Sequence, residues 1–399
     1  MSSLEKAKVQ RVNENFDFVD TIRCVSMMGI VFEHTSVAWV TKSDQLSYNL
    51  LMIATMQLFK FVTIAFFIIG GFLINHKFTE NTPVQYLRNR LKSTIGPWAF
   101  WVMILIALDA IRLVYKYFKS GGQMELPGIW TFLSAEIYNT VFFTSFWFVL
   151  NFLICITILL IFKKYLYKIS FGVCCGLLSL VYSLNIYYGW FSTAHTIALF
   201  GFIVYLWLGV YMNYYYKQVM AFINTTSFKK LILINTVFFI SACGESLHLI
   251  NIGAEDPLNT LRITNILFSI SMFILLLKIG KIPGLINTLK PRQTTFGIYL
   301  VHMIVVLYGL PLFFSMGLQI LAEELNIYQR LAYHVVRFIV VYGLSFFIVK
   351  LIMGTRLRWS IGQKATKPKI NDSNEGMHRE EKSPSTTKQN IEVPEMTKV

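Results

Sequence analysis

The chain has 399 residues, of which 55% are hydrophobic and only 14% charged, with a formal net charge of +15. A soluble globule carries about 25% charged residues, so this composition argues against a water-facing surface and for lipid as the solvent. The positive charge does not make a nucleic-acid binder, because the basic residues fall in short clusters between apolar stretches rather than on one surface.

Residues 1–16 are polar, show no cleavable-signal pattern and are expected to form a cytoplasmic N-terminal segment. Apolar segments follow near 17–40, 48–75, 95–115, 142–162, 169–189, 194–215, 230–249, 261–278, 294–315 and 331–353. Each is long enough to approach the ~20 helical residues that cross ~30 Å of hydrocarbon. The expected fold is therefore all-α, a polytopic integral membrane protein of about ten transmembrane helices, with 17–353 as one membrane domain. From Gly354 the composition turns to Lys, Glu, Ser, Thr and Pro, and 354–399 is expected to be a disordered cytoplasmic tail. With both termini in the cytoplasm, twenty Lys and Arg before the distal tail fall on the inner side and five on the outer, a strong positive-inside bias. The cysteines Cys24, Cys155, Cys174, Cys175 and Cys243 lie in apolar stretches without metal-ligand spacing, so no metal site is expected.

The first apolar segment is unusually polar. Asp20, Arg23, Glu33 and His34 lie within it. Arg23 and His34 are separated by about three helical turns, so both point the same way, roughly 16 Å apart along the axis. Asp20, one turn before Arg23, joins that face. Two readings stand. Either Asp20 and Arg23 are an interfacial ion pair and His34 reaches toward the outer headgroups, or the stripe faces a cavity in which an imidazole serves as base or nucleophile.

Other polar groups fall at membrane depth. Lys60 has Gln57 one turn away, and Asp109/Arg112, Glu245/His248 and His334/Arg337 stand three apart. Together they could line an aqueous acceptor cavity around His34; taken singly, each pair is better read as local pairing that lowers the cost of burial. His195, Trp130 and Trp190 are expected at the interfaces.

Arg23-x10-His34 resembles the Arg-x10-His hallmark of the membrane acyltransferase type 3 family. In chain order, Phe66-Phe-Ile-Ile-Gly-Gly-Phe-Leu73 resembles its small-residue segment. Tyr86-Leu-Arg-Asn-Arg-Leu-Lys92 with Pro97 resembles its basic loop before the third helix. Phe146-Trp-Phe-Val-Leu150, Tyr205-Leu-Trp-Leu-Gly209 and Gly297-Ile-Tyr-Leu-Val-His302 are similar to three later segments. Gly297 and Ile298 stand where the family often has Ser, and Arg88 and Arg90 are two apart where a spacing of three is often seen.

The resemblance implies an O-acyltransferase moving an acyl group, most often acetyl, from cytosolic acyl-CoA to a hydroxyl of a cell-envelope carbohydrate or lipid-linked glycan. No permanently bound cofactor and no nucleic acid are implied; the bacterial inner or plasma membrane is the implied home. It makes His34 the base or acyl carrier, with Arg23, Asp20 and His302 in the same catalytic group. Arg88, Arg90 and Lys92 become candidates for the phosphates of coenzyme A, although positive-inside topology explains those charges equally well. Glu33 has no defined role. From another class, a secondary transporter or glycan exporter with a proton path fits the same helices and buried charges, and a catalytically inactive receptor is a third reading.

Overall fold

The computed structural model describes residues 16–35, 46–77, 82–314 and 326–363. Helices α1 (Asp17–Thr35), α2 (Leu46–Gln57), α3 (Val62–Lys77), α4 (Pro83–Lys119), α5 (Ile129–Phe143), α6 (Trp147–Ile161) and α7 (Ile169–Tyr188) come first. They are followed by α8 (Ile203–Tyr214), α9 (Tyr216–Thr225), α10 (Phe228–Asn251), α11 (Ile263–Ile279) and α12 (Pro283–Leu289). Last come α13 (Pro291–Ile304), α14 (Leu310–Phe314) and α15 (Ile327–Met353), with a π-helical turn at Val305–Gly309 between α13 and α14. No strand occurs among the described residues.

Among the described residues, six helical stretches are long and apolar enough to cross a membrane, counting Leu46–Asn75 (α2 with α3) and Pro291–Leu312 (α13 with its π-turn) as one each. The number is eight if α5 with α6 and α11 with α12 are each one bent span. Of the ten expected segments, the remaining two are α1, which is too polar by composition, and 199–214, which is short. The polarity of α1 has a physical cause. It packs against α3, α11, α12, α13 and α15, and its buried residues include Asp20, Thr21 and Ser26. Its neighbours, not lipid, are its solvent. By contrast α4 and α15 expose apolar side chains such as Met103, Ile111 and Ile339, as lipid-facing helices do.

Local chemistry sets several boundaries. Thr82 accepts from Gln85 N while Gln85 Oε1 accepts from Thr82 N, a capping box with Pro83 in the first turn, so α4 starts well before the expected span at 95. Asn326 and Gln329 form the same device at the start of α15. The second segment is broken, because residues 58–61 are a turn between α2 and α3.

Two helices touch backbone to backbone. A Cβ on Gly71 of α3 would lie 1.8 Å from the Leu206 carbonyl oxygen of α8, and one on Gly209 would lie 1.9 Å from the Ile68 carbonyl oxygen. Close approach of this kind is the use of small residues in membrane helices. The chain also stays ordered past Gly354. A 3-10 helix at Arg356–Ile361 buries Ser360 and Ile361, and Trp101 Nε1 donates to Ser360 O at 2.8 Å. The tail expected from 354 therefore gives its first residues to the membrane domain, because Ile361 is apolar and packs against α13; residues 364–399 lie outside the described residues.

Candidate active site

Helices α1 and α13 pack side by side in the same sense, each with an arginine near its start and a histidine near its end. At the arginine end Asp20 joins them: Oδ1 accepts from Arg23 Nη1 at 3.2 Å and Oδ2 from Arg292 Nε at 2.7 Å. The carboxylate is buried and both of its oxygens take a charged donor, the condition under which a buried charge is tolerable. At the far end the rings of His34 and His302 lie 5.2 Å apart between centroids, inclined at 42°.

His302 is fully buried, and its Nδ1 lies 2.7 Å from Tyr299 O and 3.2 Å from Ile298 O. A carbonyl oxygen only accepts, so Nδ1 carries the proton and Nε2 keeps a lone pair. That Nε2 is buried with no hydrogen-bond partner among the described residues. Burying such an acceptor is costly, and a free imidazole lone pair is what proton abstraction requires. Tyr299 itself donates to Ser145 O at 2.5 Å, holding α13 against the turn before α6.

A cavity of about 310 Å³ runs beside both helices. Arg23, Arg90 and Arg292 line one end, two of them solvent-exposed, and Gly362 of the post-α15 segment lies there too. Ile30, Phe66, Ile69, Phe148 and Tyr299 also line it. Ile30 is one turn before His34 on α1, and Tyr299 one turn before His302 on α13. The cavity thus leads from three guanidiniums to within a helical turn of two imidazoles.

The expected basic loop is not a loop. Residues 86–92 form the second and third turns of α4, where side chains two apart project to nearly opposite sides. Arg90 faces the cavity and stacks its guanidinium on Phe152 at 5.8 Å, whereas Arg88 and Lys92 do not line it. Arg292, from α13, lines the cavity where they do not. In sequence it counted only as an inner-side charge, yet its seven-residue spacing to Tyr299 puts both on one face of α13, a signal of the same kind as the α1 stripe.

Several of the remaining polar groups find partners on other elements rather than along their own helix, against the expectation of local pairing, while Arg337 stays local, over the Tyr333 ring one turn earlier on α15 at 5.6 Å. Glu33 Oε2 on α1 meets Lys60 Nζ, in the turn between α2 and α3, at 3.2 Å. Gln57 turns elsewhere: it donates to Asn265 at 2.8 Å and accepts from Arg262 Nη2 at 2.6 Å, so it and Lys60 do not act on one face. Arg262, expected on the outer side, is wholly buried, and donates also to Ala242 O, Asn259 O and Ser246. Glu245 accepts from Tyr187, Thr264 and the Ile263 amide, not from His248. Asp109 accepts from Tyr308 at 2.6 Å, and His334 packs edge-on to Phe32 at 4.2 Å. These partners win because a neighbouring helix offers a second dipole without both groups lying exposed on one lipid-facing surface. His195 packs on Trp147 at 5.2 Å, with its Nε2 3.3 Å from Thr260 Oγ1.

Of the short sequence segments singled out above, all but Tyr205–Gly209 give residues to the lining of this cavity, and Tyr205–Gly209 packs on α3. Gly71 and Gly209 are the α3–α8 crossing, Phe148 and Val149 line the cavity from α6, and Tyr299 and His302 face it or its end from α13. Gly297 has a packing reason of its own, since a Cβ there would meet Val349 at 2.9 Å and Ile361 at 3.2 Å. No curated protein and no solved structure matches the chain. A family model described as an acyltransferase domain matches residues 16–354, nearly the whole of the described helical body. With the Arg–His stripe, its partner helix and that match in agreement, the chain belongs to the membrane acyltransferase type 3 family.

Proposed function

We propose that this membrane acyltransferase moves an acyl group, acetyl in the simplest case, from cytosolic acyl-CoA to a hydroxyl of a cell-envelope carbohydrate or lipid-linked glycan. The observation that carries the reading is the cavity whose three arginines stand at one end and whose other end stops a turn short of His34 and His302. Guanidiniums suit the phosphates of coenzyme A. A slender pantetheine arm suits a passage of about 310 Å³, leaving the nucleotide outside.

His34 takes the proton of the acceptor hydroxyl as the oxygen attacks the thioester carbonyl. The C–O bond forms, the C–S bond breaks, and the proton passes to the departing thiolate to give free coenzyme A. His302, with its Nδ1–H fixed to Tyr299 O, offers its Nε2 lone pair to the His34 ring as that ring becomes cationic, the orienting role that a second group plays for a catalytic base. Arg23, held by Asp20, keeps the donor end in place. The bacterial plasma membrane, with both termini inside, is the setting in which cytosolic donor and outward acceptor approach from opposite sides.

Membranes containing the wild-type chain, incubated with acyl-labelled acetyl-CoA and extracted envelope glycan, should label the glycan, and His34→Ala membranes should not. Labelling that survives His34→Ala would overturn the mechanism. Glycan movement without labelling in either sample would replace transfer by transport.

A further inference from the structure

A second cavity lies away from the histidines. It has a volume of about 260 Å³, sits between α4 and α5, and is lined by Asp109, Arg112, Lys116 and Glu136 together with Thr131 and Phe132. Two charges of each sign share this space, and none makes a direct ion pair among the described residues. Asp109 is held in place by Tyr308, so its carboxylate does not swing toward Arg112. Opposite charges kept apart in one cavity match a ligand that carries both.

The depth of the cavity identifies the kind of ligand. Arg112 lies about 33 Å from Arg90 along α4 at the helical rise, close to the thickness of the hydrocarbon layer. With Arg90 at one membrane surface, Arg112 and Lys116 stand at the headgroup level of the other. The neighbouring surface agrees: Ile111 and Trp130, each next in sequence to a lining residue, are 64% and 79% exposed, apolar and aromatic surface that suits acyl chains rather than a soluble sugar. We propose that this cavity binds the headgroup of a zwitterionic phospholipid, its phosphate at Arg112 and Lys116 and its ammonium at Asp109 and Glu136. The site is independent of the acyl-transfer reading. Because Tyr308 belongs to the π-helical turn directly after α13, the bound lipid would brace the helix that carries His302.

The test is native mass spectrometry of the full chain in detergent, titrated with phosphatidylethanolamine and, separately, with phosphatidylglycerol of the same acyl chains. One phosphatidylethanolamine should bind about tenfold more tightly than phosphatidylglycerol, which lacks the ammonium, the difference expected for one charge-assisted hydrogen bond. Glu136→Gln should remove that preference, Arg112→Gln should weaken both lipids alike because both carry the phosphate, and Arg112→Lys, which keeps the charge, should retain binding. Soluble glycerophosphoethanolamine and maltohexaose should not displace the lipid. Equal binding of the two lipids, unchanged binding in both Gln variants, or displacement by either soluble probe would overturn the proposal. None of these outcomes depends on acyl transfer, which the His34→Ala comparison tests by itself.

Discussion

The imidazoles of His34 and His302 lie 5.2 Å apart at the ends of two helices whose beginnings are tied by one carboxylate, Asp20, gripping Arg23 and Arg292. Two Arg-to-His stripes therefore stand in register, and the cavity beside them has cations at one end and bases near the other. Neither stripe is complete alone. The Tyr299 carbonyl fixes the tautomer of His302 and leaves its Nε2 lone pair free, and the His34 ring stands 5.2 Å from the His302 ring.

If the two rings act as a unit, their losses are not additive. His34→Ala and His302→Ala should each lower acyl transfer by about 10²- to 10⁴-fold, the usual contribution of an acid–base group. The double substitution should be little worse than the more damaging single one. Initial rates of label transfer in membranes of equal protein content check this, and fully multiplicative losses would separate the two roles.

The arginines divide by position. Replacing Arg90 or Arg292 by Ala should raise the apparent KM for acyl-CoA about tenfold, the loss of one charge-assisted contact to phosphate. Arg88→Ala and Lys92→Ala should leave it nearly unchanged, because neither side chain lines the cavity. A donor titration with all four variants decides the point.

The Glu33–Lys60 pair, next to His34 in the chain, ties α1 to the turn between α2 and α3. Lys60→Met alone and Glu33→Gln alone should each lower stability, since each leaves a partner charge short of its counter-ion, by about 3 kcal/mol for a buried pair broken on one side. The double substitution should recover much of that loss. A double-substitution cycle on thermal unfolding in detergent measures the coupling.

Arg262 holds Gln57 of α2 to α10 and α11 from a fully buried position. Arg262→Ala should cost about 3–5 kcal/mol, because four acceptors lose their donor at once. A fall in unfolding midpoint larger than that of any exposed Arg→Ala variant is the expected result, read by the same detergent melts.

At the α3–α8 crossing the obstacle is backbone, which has no rotamer to yield. Gly71→Val or Gly209→Val should therefore destabilise by more than the about 1–3 kcal/mol typical of overpacking and should abolish a folded monodisperse species. Gly244→Ala, on an open face of α10, is the control and should fold normally. Size-exclusion profiles of the three variants distinguish them.

Much of the site was legible in one dimension. The helical period alone puts Asp20, Arg23 and His34 on one face, and α1 keeps that face. What misled was the double meaning of basic residues near an apolar span. Arg88, Arg90, Lys92 and Arg292 serve topology and ligand equally in sequence; only the direction of each on its helix tells them apart. The capping box at Thr82 carried the needed signal, because a helix that begins there turns Arg88 and Arg90 away from each other. Pairs three apart were misread for a related reason: Asp109 and Glu245 find partners on other helices, and no local spacing announces those.

By itself the sequence determined that this is an all-helical membrane protein with an unusually polar first helix, since composition sets the solvent and periodicity sets the face. Tertiary structure decided which second helix completes the site, that Arg292 and Arg90 join Arg23, and that Glu33 meets Lys60. Those choices depend on which helices pack together, and packing joins residues far apart in the chain through surfaces that no local pattern specifies.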